Sequence, residues 1–187
     1  LLADENFEAK KMATRVLQLT SRKDTLAASA NELLGKIASQ DGQVNDALIY
    51  FKKALRIRQR SLPENHPSIG NALRKVGIAQ NQLGRNAKAF KNLQDALHIH
   101  QMAYGENHAA TAATMGAIAN IYSTRGEQDF AIELLQKSIG IFKISGEEKQ
   151  NTVVNQYFRL GNAYLEKGSY DLGLLNMQRG LTILEEL

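Results

Sequence analysis

The sequence predicts an all-α fold built from repeated antiparallel helix pairs. Four glycines recur at intervals of 42 residues, namely Gly42, Gly84, Gly126 and Gly168. Around each of them, apolar residues recur every three or four positions, which is the period of an amphipathic helix. The only two prolines, Pro63 and Pro67, lie in one short stretch, so the rest of the chain lacks the residue that most strongly breaks helices.

Small and large residues keep the same register around the four glycines. Eight residues before each glycine stands an apolar residue followed by a small one: Leu34-Gly35, Val76-Gly77, Ile118-Ala119 and Leu160-Gly161. After each glycine come a small residue and, four positions on, a large one: Ala47 and Phe51, Ala89 and Leu93, Ala131 and Leu135, Gly173 and Met177. We expect the small residues to permit close helix contact and the large ones to fill the space opposite.

Each repeat is predicted to be a first helix, a turn at the central glycine, and a second helix. The glycine supplies the left-handed backbone position that ends the first helix. Neither helix buries its apolar face alone, so neighbouring pairs are predicted to stack into a curved superhelix.

The register predicts eight main helices in four pairs, preceded by one helix of a partial repeat. The partial repeat spans 1–26, because Phe7-Glu8-Ala9 reads as the start of a second helix. Four repeats follow at about 27–67, 68–108, 109–150 and 151–187, and together they form one domain, 1–187. The chain begins within a repeat and ends on a second helix, which predicts a fragment of a larger protein.

These residues resemble the tetratricopeptide repeat. Its pattern is present in Leu160-Gly161, Tyr164 and Gly168, and in Gly42, Ala47, Phe51 and Ala54. The 42-residue period and the long second helix, which ends in Ala54-Leu-Arg-Ile-Arg-Gln-Arg-Ser-Leu-Pro-Glu-Asn-His-Pro67, are similar to the repeats of kinesin light chains. Where those repeats carry paired asparagines, this chain has Arg74-Lys75, Gly116-Ala117 and Phe158-Arg159.

The resemblance implies a right-handed superhelix whose first helices line an inner groove that holds a peptide or a partner helix. Helical geometry assigns places 2, 6, 9 and 13 of each first helix to this groove. These places are Ser29, Leu33, Lys36, Gln40; Asn71, Lys75, Ile78, Gln82; Ala113, Ala117, Asn120, Thr124; Asn155, Arg159, Asn162, Glu166. We predict that Lys36, Gln40, Asn71, Lys75, Gln82, Asn120, Asn155, Arg159 and Asn162 contact the ligand.

The residue types of this groove set the chemistry that we expect of its ligand. Asparagine and glutamine side chains both donate to and accept from a peptide backbone. Lysine and arginine select carboxylates, which predicts a protein or peptide partner that contains Asp or Glu. The alternative interpretation of the same face is a solvated helix surface.

No chemistry-bearing motif points to an enzyme, and we expect no catalytic residue, metal or cofactor. His66 and His108 each follow Glu-Asn at the entry of a first helix, which indicates a structural role. His98 and His100 stand two apart on a helix, whereas a metal pair would need a spacing of three or four. None of the glycines forms a phosphate-binding loop.

Composition excludes several further classes. Net charge is +4, from 23 basic and 19 acidic residues that are interspersed, so no nucleic-acid partner is predicted. The absence of cysteine fits the cytoplasm, which is the predicted location. No apolar stretch approaches the ~20 residues of a membrane span.

The predicted function is therefore a protein-interaction scaffold that binds a peptide or helical segment in the groove. Two alternatives remain, namely a regulatory or sensor array of a larger signalling protein and a cargo-adaptor module resembling kinesin light chain. Self-association through the uncapped terminal helices is a third reading.

Overall fold

A computed structural model describes residues 2–20, 25–147 and 150–187 of the chain. This part of the chain forms nine α-helices and no strand: α1 (Leu2–Leu19), α2 (Thr25–Gln40), α3 (Val44–Ser61), α4 (Pro67–Gln82), α5 (Asn86–Tyr104), α6 (Ala109–Thr124), α7 (Gln128–Ile144), α8 (Asn151–Glu166) and α9 (Tyr170–Glu185). The predicted all-α chain of four helix pairs preceded by one helix is confirmed.

The helices form two compact units. Unit 1 ends at Ile99 and contains α1–α4 with most of α5, and unit 2 begins at His100 and contains α6–α9. In unit 1 the apolar core includes Phe51, Leu73 and Val76, and in unit 2 it includes Leu135 and Phe142. The repeat boundaries drawn from the sequence remain predictions.

The four periodic glycines end the first helices as predicted. Their φ angles are +75° at Gly42, +70° at Gly84, +78° at Gly126 and +78° at Gly168. The amide of the next residue then donates back to the helix just completed: Gln43 to the Ala38 carbonyl at 2.8 Å, and Arg85 to Gln80, Glu127 to Tyr122 and Ser169 to Tyr164 at 2.9 Å each. This hydrogen bond satisfies a carbonyl that the helix end leaves unpaired.

The small residues of the first helices are sites of close contact. A Cβ atom on Gly35 would lie 2.5 Å from Phe51 Cε1, and one on Gly77 would lie 2.7 Å from Leu93 Cγ. The corresponding Cβ on Gly161 would lie 2.7 Å from Met177 Cγ. The predicted pairing of small and large residues is therefore confirmed for these three repeats.

Ala89 is a test of this packing, because it is fully buried and its carbonyl oxygen would lie 3.2 Å from a Cβ atom on Gly77. We expect Ala89→Leu to lower the free energy of unfolding by roughly 1–3 kcal/mol through overpacking. Urea denaturation followed by circular dichroism measures the effect, with Ala87→Leu at an exposed position of α5 as control. Equal midpoints for Ala89→Leu and the unsubstituted chain would contradict the assigned packing.

Two histidines cap first helices, which confirms the structural role predicted for them. His66 Nδ1 accepts a hydrogen bond from the Ser68 amide at 3.1 Å, ahead of α4. His108 Nδ1 accepts one from the Ala110 amide at 3.0 Å, ahead of α6, and its ring stacks on Tyr104 with 4.2 Å between centroids. Each imidazole thereby satisfies one of the free amides at a helix start.

Removal of such a cap has a measurable cost. We expect His108→Ala to destabilise the protein by about 1 kcal/mol, because the Ala110 amide loses its acceptor. His98→Ala is the matched control, since His98 is an exposed residue on α5. A thermal melt in which both variants behave alike would show that the His108 cap contributes nothing.

Candidate functional site

The predicted groove residues of unit 1 surround a surface cavity. The cavity has a volume of about 390 Å³ and is lined by Lys36, Ser39, Gln40, Phe51, Arg74, Lys75, Ile78, Ala79 and Gln82. Four of the residues predicted to contact ligand, Lys36, Gln40, Lys75 and Gln82, are therefore close together. The fifth, Asn71, is half-buried on α4 but is not part of this lining. We call this feature the α2–α4 cavity.

The lining of the α2–α4 cavity carries three cations and no carboxylate. Lys36 is the most accessible of them, with 58% of its side chain exposed. Phe51, Ile78 and Ala79 add apolar surface beside the charges. The cavity can therefore hold an anionic group next to an apolar one.

One carboxylate, that of Glu32 on α2, pairs with two cations of the lining, Lys36 and Lys75, and with Arg58. Arg58 Nη2 lies 2.5 Å from its Oε2, and Lys36 Nζ lies 3.9 Å from its Oε1. Lys75 Nζ donates a hydrogen bond to the same Oε1. Because the side chains of Glu32, Arg58 and Lys75 are only 15%, 13% and 19% exposed, this is a largely buried ion cluster.

Burial lowers the pKa of the cations in this region, because it disfavours their charged form. Desolvation lowers the pKa of Lys75 to about 8. It also lowers the pKa of Arg58 and of Arg74, which stay charged. The Nε of Arg74 is buried and has no hydrogen-bond partner among the described residues. An anion in the cavity would favour the charged form of Lys75, which lines it.

The predicted groove residues of unit 2 are arranged differently. Arg159 on α8 donates from Nη1 to the Gly116 carbonyl oxygen on α6 at 3.2 Å, and desolvation lowers its pKa. Asn155 and Asn162 are exposed on α8, while Asn120 is half-buried on α6. The amides of α8 are accessible to a ligand, whereas the cation already has a protein acceptor.

Lys75 and Arg159 make equivalent contacts in the two units. Each reaches the preceding first helix at a residue 43 positions earlier, Glu32 for Lys75 and Gly116 for Arg159. Both groove cations are thus bonded within the protein.

Sequence reasoning missed Glu32 and Arg74 as parts of the site. The sequence does contain a signal for Glu32, because Glu32 precedes Lys75 by 43 residues, which is the repeat length plus one. For Arg74 the signal is weaker, because it is not one of the four places of α4 that helical geometry assigns to the groove.

In the described residues, no cluster of three or more His, Cys, Asp or Glu side chains is arranged to bind a metal ion. His100, which pairs with His98 in the sequence, is fully buried, and its Nδ1 lies 2.9 Å from Thr114 Oγ1. Among these residues, no helix has the length and apolar composition that crossing a membrane requires.

Helix pairs that turn at left-handed glycines and pack through small residues define a helical-repeat protein. The profile of the tetratricopeptide repeat matches residues 25–98 and 68–144, which together cover well over half of the sequence. The chain therefore belongs to the tetratricopeptide repeat family, whose repeats serve as protein-interaction scaffolds. None of the curated proteins matches it in sequence.

Solved structures with the same fold include kinesin-light-chain-type repeats. A putative kinesin light chain of Podosopora anserina with nearly identical TPR-like repeats is 16% identical to this chain, with a TM-score of 0.70 over 98% of this chain and 87% of that one. At this identity the likeness shows the fold alone, and at that level it confirms the resemblance to kinesin-light-chain repeats.

Two Rap proteins share the fold as well. A Rap protein complexed with competence and sporulation factor is 19% identical, with a TM-score of 0.80 over 95% of this chain and 47% of that one. The Rap conjugation gene regulator of plasmid pLS20, in complex with the Phr* peptide, is 16% identical, with a TM-score of 0.72 over 84% of this chain and 42% of that one. This chain spans less than half of either Rap protein.

Proposed function

We propose that this chain is a protein-interaction module that binds a peptide or helical segment carrying Asp or Glu on the face of its first helices. The observation that carries the proposal is the α2–α4 cavity, which combines three cations with the apolar side chains of Phe51, Ile78 and Ala79. We also propose a cytoplasmic location, no enzymatic activity and no nucleic-acid partner, in line with the composition of the chain.

Charge balance around the α2–α4 cavity favours an anionic ligand. Four cations and one carboxylate, that of Glu32, lie in or next to the cavity, which leaves an excess of three positive charges. The cations are Lys36, Arg58, Arg74 and Lys75. The excess lies partly out of water, where a charge-assisted hydrogen bond is stronger than the ~0–1 kcal/mol of an exposed ion pair. A ligand carboxylate at Arg74 would meet a buried guanidinium whose Nε has no other described partner.

Amide and apolar groups complete the recognition that we propose. Gln40 and Gln82 are exposed at the cavity and can pair with both the N–H and the C=O of a peptide backbone. Ile78 and Phe51 offer contact to an apolar side chain next to the acidic one. In unit 2, the exposed Asn155 and Asn162 have the same capacity for backbone pairing.

Peptide binding by a protein of this fold supports the proposal, because the Rap regulator of plasmid pLS20 is in complex with a peptide. The same likeness favours the second candidate function, a sensor array within a larger signalling protein. The kinesin-light-chain likeness favours the third, a cargo adaptor. Sequence flanking this chain separates them, since a nucleotide-binding or catalytic module indicates a sensor and a heptad segment indicates an adaptor.

The proposal predicts that Lys36 contributes to affinity without contributing to the fold. A peptide selected from a random display library on this protein should be enriched in Asp and Glu. We expect Lys36→Glu to weaken its binding by about fivefold, equivalent to about 1 kcal/mol. Titration calorimetry measures the effect, and thermal melting should be nearly unchanged because Lys36 is exposed.

Lys91→Glu is the matched control, since Lys91 is an exposed lysine of α5 outside the cavity lining. Binding should also weaken as salt rises from 0.1 to 1 M, where the Debye length falls from about 10 to about 3 Å. Selected peptides without acidic enrichment, or equal losses in Lys36→Glu and Lys91→Glu, would overturn the proposed site.

A further inference from the structure

Unit 1 contains two more cavities, which lie between successive second helices. The α1–α3 cavity, of about 410 Å³, is lined by Leu17, Thr20, Ala27, Asn31, Lys53, Arg56, Ile57 and Arg60. The α3–α5 cavity, of about 630 Å³, is lined by Gln59, Glu64, Asn65, Ile69, Leu73, Asp95, His98 and Ile99. Neither includes a residue of the α2–α4 cavity.

The two cavities are equivalent in the repeat register. Among the lining residues of α2 to α5, five pairs are 42 positions apart: Ala27 and Ile69, Asn31 and Leu73, Lys53 and Asp95, Arg56 and His98, Ile57 and Ile99. Two successive repeats therefore form equivalent cavities, and different side chains line each of them.

The charge of the two cavities is opposite. The α1–α3 cavity carries Lys53, Arg56 and Arg60 and no lining carboxylate. The α3–α5 cavity carries Glu64 and Asp95 and neither lysine nor arginine. At the register position of Lys53 and Asp95, the two later repeats have Lys137 and Arg179, so Asp95 reverses a charge that the other repeats share.

A buried polar atom gives independent support for a ligand in the α1–α3 cavity. Asn31 is only 4% exposed, and its Nδ2 donates to the Ala27 carbonyl at 2.7 Å. Its Oδ1 has no hydrogen-bond partner among the described residues. A buried acceptor without a donor is costly, and the backbone N–H of a bound segment would remove that cost.

We propose that the α1–α3 and α3–α5 cavities form one docking surface for a polypeptide segment that places an acidic side chain in the first and a lysine or arginine in the second. Charge complementarity specifies the occupant. Apolar residues in both, among them Leu17 and Ile57 in the first and Ile69 and Leu73 in the second, contact the aliphatic part of each side chain.

The test uses two small probes, N-acetyl-glutamate N-methylamide and N-acetyl-lysine N-methylamide, titrated into the protein with methyl groups observed by NMR. We expect the glutamate probe to shift the signals of Leu17 and Ile57. The lysine probe should shift those of Ile69, Leu73 and Ile99. Shifts that do not discriminate between the two cavities, or no shift up to the solubility limit of the probes, would overturn the proposal.

A charge swap provides the matched variants, because Lys53 and Asp95 are both exposed and their replacement should leave the fold intact. In Lys53→Asp/Asp95→Lys, the first cavity keeps Arg56 and Arg60 against the new carboxylate, and the second keeps Glu64 against the new amine, so each probe should lose most of its preference for its own cavity. Unchanged preferences in a variant with normal circular dichroism would also overturn the proposal. Lys36→Glu should change neither the glutamate nor the lysine titration at these residues. The proposed docking surface and the proposed α2–α4 site can therefore be tested independently.

Discussion

Replacement of Glu32 by glutamine should lower the free energy of unfolding by about 2–4 kcal/mol. The carboxylate interacts with Arg58, Lys75 and Lys36, and the first two are largely buried. An amide of the same shape accepts a hydrogen bond but carries no charge, so two desolvated cations would face each other without compensation. Loss of one member of a fully buried pair costs about 3–5 kcal/mol, and the residual exposure of this cluster places the effect slightly lower.

Urea denaturation of the Glu32→Gln variant measures this loss, with Glu8→Gln as its control. Glu8 forms an exposed pair with Lys11 at 3.7 Å, with 61% of its side chain exposed, so its removal should change stability by less than about 1 kcal/mol. A Glu32→Gln variant as stable as Glu8→Gln would mean that the ion cluster does not stabilise unit 1.

Gly161→Val should be similarly damaging, with an expected loss of about 3 kcal/mol. Even the first added atom would lie 2.7 Å from Met177 Cγ and 2.9 Å from the carbonyl oxygen of Gly173. The methionine side chain can move, but the backbone of α9 cannot shift without separating the helix pair. The loss should appear as a lower denaturation midpoint.

Gly140 offers a control of opposite sign within unit 2. It lies inside α7, and no described atom comes within 4 Å of a Cβ placed there. Gly140→Ala should therefore stabilise the protein by roughly 0.5–1 kcal/mol, because alanine loses less conformational freedom in a helix. If Gly161→Val and Gly140→Ala shifted stability in the same direction, the close contact between α8 and α9 would be in doubt.

The helices and their contacts followed from the sequence because they depend on local and periodic information. A glycine that recurs at a fixed interval indicates a turn with a left-handed residue, as the positive φ angles of Gly42 and Gly168 show. A small residue sixteen positions before a large one reports their contact, as Gly35 and Phe51 show. Neither signal depends on which side chains from distant parts of the sequence come into contact.

The electrostatics of the candidate site were less accessible from the sequence. Helical geometry assigns Lys75 to a face, but the partner of its amine depends on which residue the preceding first helix brings opposite. That residue is the carboxylate Glu32 for Lys75 and the backbone of Gly116 for Arg159. The same geometry places Ala117 in the groove, whereas the structure buries it to 5% exposure. Helical geometry predicts which residues share one face of a helix, but it does not predict which of them the neighbouring helices cover.

Several leucines of α9 are exposed. Leu174 is 63% exposed, and Leu172 and Leu175 are 45% and 46% exposed. Self-association of the chain through its terminal helices stays a prediction. Light scattering as a function of concentration tests that prediction, and Leu174→Glu should abolish any association that it detects.

The location of a bound acidic peptide tests the central claim most directly. The library-selected peptide, labelled with a nitroxide next to its Asp or Glu, is added to protein with methyl groups observed by NMR. We expect strong broadening at Ile78 and Ala79 of the α2–α4 cavity, with little effect on Ile99. Broadening centred on Ile57 or Ile99, with Ile78 unaffected, would place the peptide between the second helices and contradict the account.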